Sequence, residues 1–226
     1  MLALFDMDGL LLDTEPLWGV AMQNVCDHYQ LPLDSKIFRY TTGLRIDEVT
    51  AFWKKHLNWP TDLNSDTLAN EIVDEIISLA IKQAKVLPGI LPLLKTMKEN
   101  AIPTAVVTSS PNRMLHKLMQ HFQLEDYFNA FFSAQDVTYG KPHPDVYIKA
   151  LHHFHSSPYD AIAFEDSVNG MIAARSAKIQ TVVVPEPAKF NDKAFGLAEI
   201  KVRSMEEISL AQLKALIAPS LFNIKA

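Results

Sequence analysis

Cysteine is almost missing from this chain of 226 residues: there is 1, Cys26. A lone thiol cannot form an internal disulfide, which excludes a disulfide-stapled secreted scaffold and makes a reducing cytoplasm the expected location. Glycine is scarce too, at 7 residues, so fibrous and low-complexity architectures are excluded. Basic charge is not in surplus. With 21 Lys and Arg against 26 Asp and Glu the formal charge is −5, and no positive field gathers nucleic acid or an anionic membrane surface. No run of about 18 apolar residues occurs, so no segment is expected to span a bilayer. Asp6 and Asp8 also interrupt the N-terminal stretch where a secretory signal needs unbroken apolar sequence. What is present is a 48% hydrophobic composition, enough for a sizeable core in one large domain or in a core carrying an insert.

Four short apolar runs read as buried parallel strands: Leu2 to Phe5, Thr104 to Val107, Ala161 to Phe164 and Thr181 to Val184. Helical patterns follow them. After Val107, Pro111 suits a first helical turn, and Met114, Leu115, Leu118 and Met119 recur at helical spacing. After Phe164, Ser167 can cap a helix of small residues running to Ala177. This repetition predicts a doubly wound, Rossmann-like α/β sheet that binds ligands beyond the carboxyl ends of its strands. Between the first strand and Pro88–Gly89 the pattern changes. Val20, Val25 and Tyr29, then Val49, Phe52 and Trp53, then Ile72, Ile76, Ile77 and Ile81 repeat at helical intervals with no convincing strand. The expectation is an α-helical insert over residues 15–83, within a core made of residues 1–14 and 84–226. It begins directly after Asp6–Gly9, so it can fold over the end of the first strand.

The strongest chemical signal is Asp6-Met7-Asp8-Gly9. Residues two apart on an extended chain point the same way, so both carboxylates can face one pocket. At 4 Å and an effective dielectric of 20 they repel each other, or a phosphate, by roughly 4 kcal/mol per unit pair, which a divalent cation would relieve. An Asp-rich turn is the plain alternative; a calcium loop needs a third acidic position, where Leu10 stands. Thr108 offers a hydroxyl, and the amides of Ser109 and its successors open a helix whose dipole favours an anion, unless they form an ordinary helix cap. Lys141 lies in Gly140-Lys141-Pro142-His143-Pro144-Asp145, where two prolines stiffen the chain around one cation; a solvated loop lysine is the alternative. Such a lysine can neutralise a carboxylate nucleophile and a transferring phosphoryl group. Glu165-Asp166 can complete an oxygen shell for Mg²⁺, with Ser167 and Asn169 orienting it.

In order and context these four motifs resemble the haloacid dehalogenase superfamily of phosphohydrolases, in the subgroup with a helical cap after the first motif. The resemblance implies Asp6 as the nucleophile that forms an aspartyl-phosphate and Asp8 as the acid/base. It implies Thr108 and Lys141 as phosphate-binding and charge-neutralising residues, and Mg²⁺ held by Asp6, the Asp8 backbone carbonyl and Asp166. Dehalogenating members lack the second aspartate, so Asp8 favours phosphate chemistry. Asp13-Thr14-Glu15-Pro16-Leu17-Trp18, Gly43-Leu44-Arg45-Ile46-Asp47, Glu165-Asp166-Ser167-Val168-Asn169-Gly170-Met171 and Val182-Val183-Val184-Pro185 are similar to bacterial sugar-phosphate phosphatases of the hexitol and 2-deoxyglucose-6-phosphate kind. One departure is Lys178, where glycine commonly ends the helix after the fourth motif.

The resemblance thus implies a Mg²⁺-dependent phosphomonoesterase acting on a small sugar or sugar-alcohol phosphate, cytoplasmic, a monomer or weak dimer, with neither nucleic acid nor membrane as partner. Glu15 and Arg45, at the hinge and in the insert, are candidate substrate contacts. Arg45 can aim a planar donor fork at the substrate or pair with Asp47 or Glu48 along one helical turn. Two other functions compete. A phosphosugar mutase of this type places a histidine near Trp18, which cannot shuttle a proton. A catalytically silent regulatory protein on this fold would have lost Asp6, Asp8, Lys141 or Asp166. His152, His153 and His155 lack a Cys or carboxylate partner at ligand spacing and are not read as a metal site, and Cys26 reads as a small buried hydrophobe.

Overall fold

A computed structural model of the chain describes residues 1–31, 43–57, 59–60 and 62–217. The parts of the expected helical insert at 32–42, 58 and 61 lie outside the described residues. Six strands form the sheet: β1 (Leu2–Phe5), β2 (Thr104–Thr108), β3 (Ala130–Ser133), β4 (Ala161–Glu165), β5 (Gln180–Val183) and β6 (Ile200–Lys201). Their order is β3-β2-β1-β4-β5-β6, and every neighbouring pair is parallel. Helices α1 (Glu15–His28), α2 (Ile46–His56) and α3 (Ser65–Gln83) lie between β1 and β2 in the chain, and α4 (Ile90–Glu99) leads into β2. Then α5 (Asn112–His121), α6 (Asp145–His153) and α7 (Val168–Ser176) connect successive strands, and α8 (Leu210–Ile217) follows β6. No helix among the described residues is long and apolar enough to cross a membrane.

Parallel strands with helices on both faces must be apolar on both, and the alternation along each strand divides them. Ala3, Phe5, Ile162 and Phe164 face Leu93, Leu94 and Met97 of α4 and Met114 and Leu115 of α5. Leu2, Leu4, Ala161 and Ala163 face Val146, Tyr147 and Ala150 of α6 and Ala173 and Ala174 of α7. Phe5 and Phe164 stack with ring centroids 4.5 Å apart, and each large apolar side chain buried here contributes about 1.5–3 kcal/mol. In the segment between β1 and β2, Ala21, Val25, Trp53, Ile72 and Ile76 join the apolar cluster that includes Met114.

The strand order decides where a ligand can bind. The chain builds outward from β1 through β2 to β3, then returns to the other side of β1 with β4. At that reversal the connections diverge and leave a crevice at the carboxyl ends of β1, β2 and β4. The chain leaves this crevice after β1 and comes back beside itself: Leu87 N–H donates to the Leu11 carbonyl at 3.0 Å and Asp13 N–H to the Lys85 carbonyl at 3.1 Å.

The sequence pattern does not announce β3 or β6. The first is four residues at a sheet edge and the second is two, too short to show a period. Strand β5 also begins one residue earlier than expected, at Gln180, and Pro111 caps α5 from outside instead of opening it.

Scarce glycine leaves its mark at the helix ends. Gln30, Ala101, Gln123, His155 and Lys178 follow α1, α4, α5, α6 and α7 with left-handed φ of 55°, 52°, 56°, 48° and 64°. Each turn closes in the same way, with the next amide reaching back to the last helical turn, as Ile179 N–H does to the Ala174 carbonyl at 3.1 Å. A side chain in this conformation costs about 1 kcal/mol more than glycine, part of which glycine returns in unfolded-state entropy. Lys178→Gly is therefore expected to raise stability by about 0.5–1 kcal/mol, a melting temperature about 1–4 °C higher, with unchanged activity. A lower melting temperature would contradict the strain argument.

Candidate active site

The residues singled out in four separate motifs arrive at one place because three of the motifs stand at the ends of neighbouring strands and the loop after β3 brings in Lys141. Asp6 follows β1, and its N–H donates to the Phe164 carbonyl at 3.0 Å, extending the pairing with β4. Thr108 ends β2, Glu165 ends β4, and Asp166 is next in the chain. Gly9 has φ 72°, and a Cβ there would run into the Asp166 carboxylate. The glycine of the first motif is thus required both for its turn and for the close approach of the fourth. Ser167 caps α7, its Oγ accepting from Gly170 N–H at 3.0 Å.

At the floor lies a buried ion network. Lys141, 2% exposed, donates from Nζ to Asp6 Oδ1 at 2.7 Å, to Glu165 Oε1 at 2.6 Å and to the Val107 carbonyl at 2.9 Å. All three ammonium protons are satisfied. The Tyr147 hydroxyl donates to the same Glu165 oxygen at 2.6 Å, and its buried ring lies 5.3 Å from the ammonium. Burial alone would lower the Lys141 ammonium, but the Asp6 and Glu165 carboxylates outweigh it and hold it above the ordinary lysine value. Glu165 Oε2, fully buried, has no hydrogen-bond partner.

Negative charge exceeds positive around this lysine. Burial holds Asp6 well above the usual carboxylate range; Lys141 works against that, and Glu165 and Asp8 add to it. Asp166 is raised in the same direction, by burial and then by Glu15, Asp6 and Glu165. Asp6, Glu165 and Asp166 can each offer an oxygen with all three atoms within 4.8 Å of one another. Carboxylates so placed, with one buried oxygen unsatisfied, fit the all-oxygen shell of a hard divalent cation.

Asp8 is held differently, by hydroxyl and indole donors. Thr14 Oγ1 donates to Oδ1 at 2.6 Å and Trp18 Nε1 to the same oxygen at 3.0 Å. Ser110 Oγ donates to Oδ2 at 2.6 Å, with Thr108 Oγ1 farther off at 3.5 Å. Ser110 is fixed in turn: its N–H donates to Thr108 Oγ1 at 3.0 Å, and its carbonyl accepts from Ser133 Oγ at 2.6 Å.

Asp6, Asp8, Thr108, Ser109, Lys141 and Asp166 all border a cavity of about 180 Å³, closed on the other side by Glu15, Trp18 and Met22 of α1 and by Leu44, Ile46 and Val49. The Glu15 carboxyl is pushed up to about 7, by burial and then by the Asp8 carboxylate. Two expectations change. Helix α5 begins at Asn112, whose N–H donates to Gln135 Oε1, so the anion-facing part is the loop Thr108–Pro111 and not the helix terminus itself. Arg45 is not among the residues bordering the cavity. Its Nη1 donates to the carbonyls of Ala134 and Val137, both at 3.1 Å, and its Nη2 pairs with Glu48 at 3.1 Å and Asp47 at 3.3 Å. Four acceptors already surround the two Nη groups, and the remaining donor, Nε, is buried without a hydrogen-bond partner. The role that fits is a clasp on the segment leading to Lys141, with Gly140 packed against the Arg45 stem.

Ser110 and Tyr147 are site residues that the motifs did not disclose. Tyr147 had a signal: it is a lone phenol among the apolar helix positions Val146, Ala150 and Leu151, one turn beyond the lysine turn, and a buried phenol needs a partner. Ser110 had none, being one serine in a polar loop.

Comparison with known proteins agrees with the fold. A model of the haloacid dehalogenase-like hydrolase family matches residues 3–184. Hexitol phosphatase B of Escherichia coli (strain K12) is 36% identical over 212 residues, 93% of this chain and 95% of that protein. A phosphorylated carbohydrates phosphatase of Thermotoga maritima is 31% identical over 180 residues, 79% of this chain and 82% of that one. Among solved structures, CbbY from Rhodobacter sphaeroides in complex with phosphate superposes with a TM-score of 0.86 at 27% identity, covering 94% of this chain and 98% of the other.

Proposed function

The chain belongs to the haloacid dehalogenase-like hydrolase family, and on that premise we propose that it is a Mg²⁺-dependent phosphomonoesterase acting on small sugar or sugar-alcohol phosphates through an aspartyl-phosphate. The observation that carries the reading is the Asp6–Lys141–Glu165 network opening into the cavity beside Asp8. Asp6 attacks phosphorus while Lys141 holds its other oxygen and offsets the charge of the arriving phosphoryl group. The bond from phosphorus to the leaving oxygen breaks, and Asp8 gives that oxygen its proton. Asp8 then takes a proton from water, the water attacks phosphorus, and inorganic phosphate leaves with Asp6 restored. Thr108, Ser109 and Lys141 bind the phosphoryl oxygens, and Glu15 meets the leaving group. Residues 15–83 serve as the cap over a core formed by 1–14 and 84–226. Asp6, Asp166 and the Asp8 backbone carbonyl would hold the Mg²⁺, which supplies positive charge that lets a dianionic phosphate approach a carboxylate.

The substrate class draws support from relatives that act on hexitol phosphates and phosphorylated carbohydrates, and from a cavity of about 180 Å³, which suits a small molecule. We place the protein in the cytoplasm, as a monomer or weak dimer. Phosphate release is to be assayed over a panel of sugar, polyol and glycolytic phosphates with an aryl phosphate as reference. Mg²⁺ should support turnover, EDTA should remove it by about 10²-fold or more, added Mg²⁺ should restore it, and Ca²⁺ should restore little because its larger, looser shell misplaces the phosphoryl group. Full activity in chelator would overturn the metal assignment. No release from any ester would overturn the function.

A further inference from the structure

We propose that Trp18 is a positioning residue for the acid/base: its indole N–H fixes the Asp8 carboxylate toward the leaving oxygen while its ring forms the cavity wall that the leaving group meets. The inference rests on the phosphatase reading and adds to it a residue outside the four motifs.

The geometry begins at the start of α1. Thr14 stands at the N-cap of that helix, yet its side chain makes no capping hydrogen bond; its hydroxyl reaches Asp8 instead. Trp18 is one turn further on, its N–H donating to the Thr14 carbonyl at 3.2 Å, so both side chains lie on the same helix face. Both donate to one oxygen, Asp8 Oδ1, at 2.6 and 3.0 Å, while Ser110 secures Oδ2 at 2.6 Å. Two donors on one carboxylate oxygen and a third on the other fix the rotation of the carboxyl plane. An indole has a single polar hydrogen and no acceptor, so it can only hold Asp8 and cannot exchange protons with it. Trp18 also borders the cavity with Glu15 and Met22. The first turn of α1 therefore links the wall seen by the leaving group to the group that protonates it.

A residue that merely packs would lower the rate of every ester alike. A residue that aims the acid matters most where protonation matters most, at poor leaving groups. The test is kcat/KM over a series of aryl phosphates of matched shape whose phenols rise in pKa, since this ratio reads the steps up to phosphoryl transfer and is blind to later hydrolysis. Wild type should show a shallow dependence on leaving-group pKa. Trp18→Phe and Trp18→Met, both without the donor, should steepen it. Their losses should grow from about threefold or less at the most acidic phenol to about tenfold or more at the least, within the roughly 10²–10⁴-fold that general acid catalysis supplies. In an Asp8→Asn background, where no acid remains to aim, adding Trp18→Phe should steepen the series no further. A parallel drop across the series in a variant of normal melting temperature, or further steepening in the Asp8→Asn background, would overturn the role of Trp18. A wild-type protein that hydrolyses none of the esters would instead overturn the phosphatase reading itself.

Discussion

Asp6→Asn is expected to reduce turnover by about 10⁴-fold or more and to leave no phosphoenzyme, because an amide is a poor nucleophile toward phosphorus. The structure makes this a clean experiment. Asn has the shape of Asp, and Lys141 would keep its hydrogen bonds to Glu165 and to the Val107 carbonyl, so the buried cation is not left alone. The fold should therefore survive, and circular dichroism should look like wild type while phosphate release vanishes. Mass spectrometry of acid-quenched protein should find the phosphoryl adduct in wild type and not in the variant. Asp8→Asn should fail differently, slowing both steps by about 10²–10⁴-fold through lost proton transfer while leaving the nucleophile intact. Near-normal phosphate release from Asp6→Asn would end the covalent mechanism.

Lys141→Met should damage the fold as well as the chemistry. Removing the ammonium leaves Asp6 and Glu165 facing each other in a buried site, with the Tyr147 hydroxyl as the remaining hydrogen-bond donor to Glu165 Oε1. Breaking a buried pair by removing one partner costs about 3–5 kcal/mol, so the melting temperature should fall by about 6–20 °C and activity should be lost. The pH dependence identifies the cause. Without the cation nothing offsets the burial that raises Asp6, so its folded-state pKa lies further above the unfolded value than in wild type and the folded state takes up more protons as pH falls. The variant should thus recover more stability than wild type between pH 8 and pH 5. A variant as stable as wild type at pH 8 would mean that the network does not hold the strand ends together.

The convergence of the candidate site residues was more legible in the sequence than the scaffold around them. Asp6, Asp8, Thr108 and Asp166 stand at or just past the point where an apolar strand run gives way to polar residues, and a parallel sheet brings such points together; Lys141 was marked instead by the prolines of its turn, so four local patterns predicted one locus. Glu15 could be placed for a simpler reason, since it opens the helix that begins at the hinge. What escaped depends on distance. Tyr147 and Glu165 meet only because α6 packs across the sheet against β2 and β3, and Ser110 reaches Asp8 only because Ser133, on an edge strand too short to show periodicity, holds its carbonyl. Arg45 shows the converse problem. A guanidinium near a cavity suits a substrate or a carbonyl equally well, and the carbonyls of Ala134 and Val137 that claimed it are far off in the chain.

The five helix ends that hold a side chain in the left-handed region bear on how much change this protein tolerates. Each keeps about 0.5–1 kcal/mol that a glycine would release, and because the five stand on separate helices the gains should add to about 2.5–5 kcal/mol. That is a sizeable fraction of the roughly 5–15 kcal/mol by which a typical folded domain outweighs its unfolded chain. It also matches the loss expected when Lys141 is removed. The helix termini thus hold a stability reserve remote from the catalytic groups, and a chain with glycine at Gln30, Ala101, Gln123, His155 and Lys178 would keep Lys141→Met folded at ordinary temperature. In that background, what the lysine does for phosphoryl transfer separates from what it does for folding.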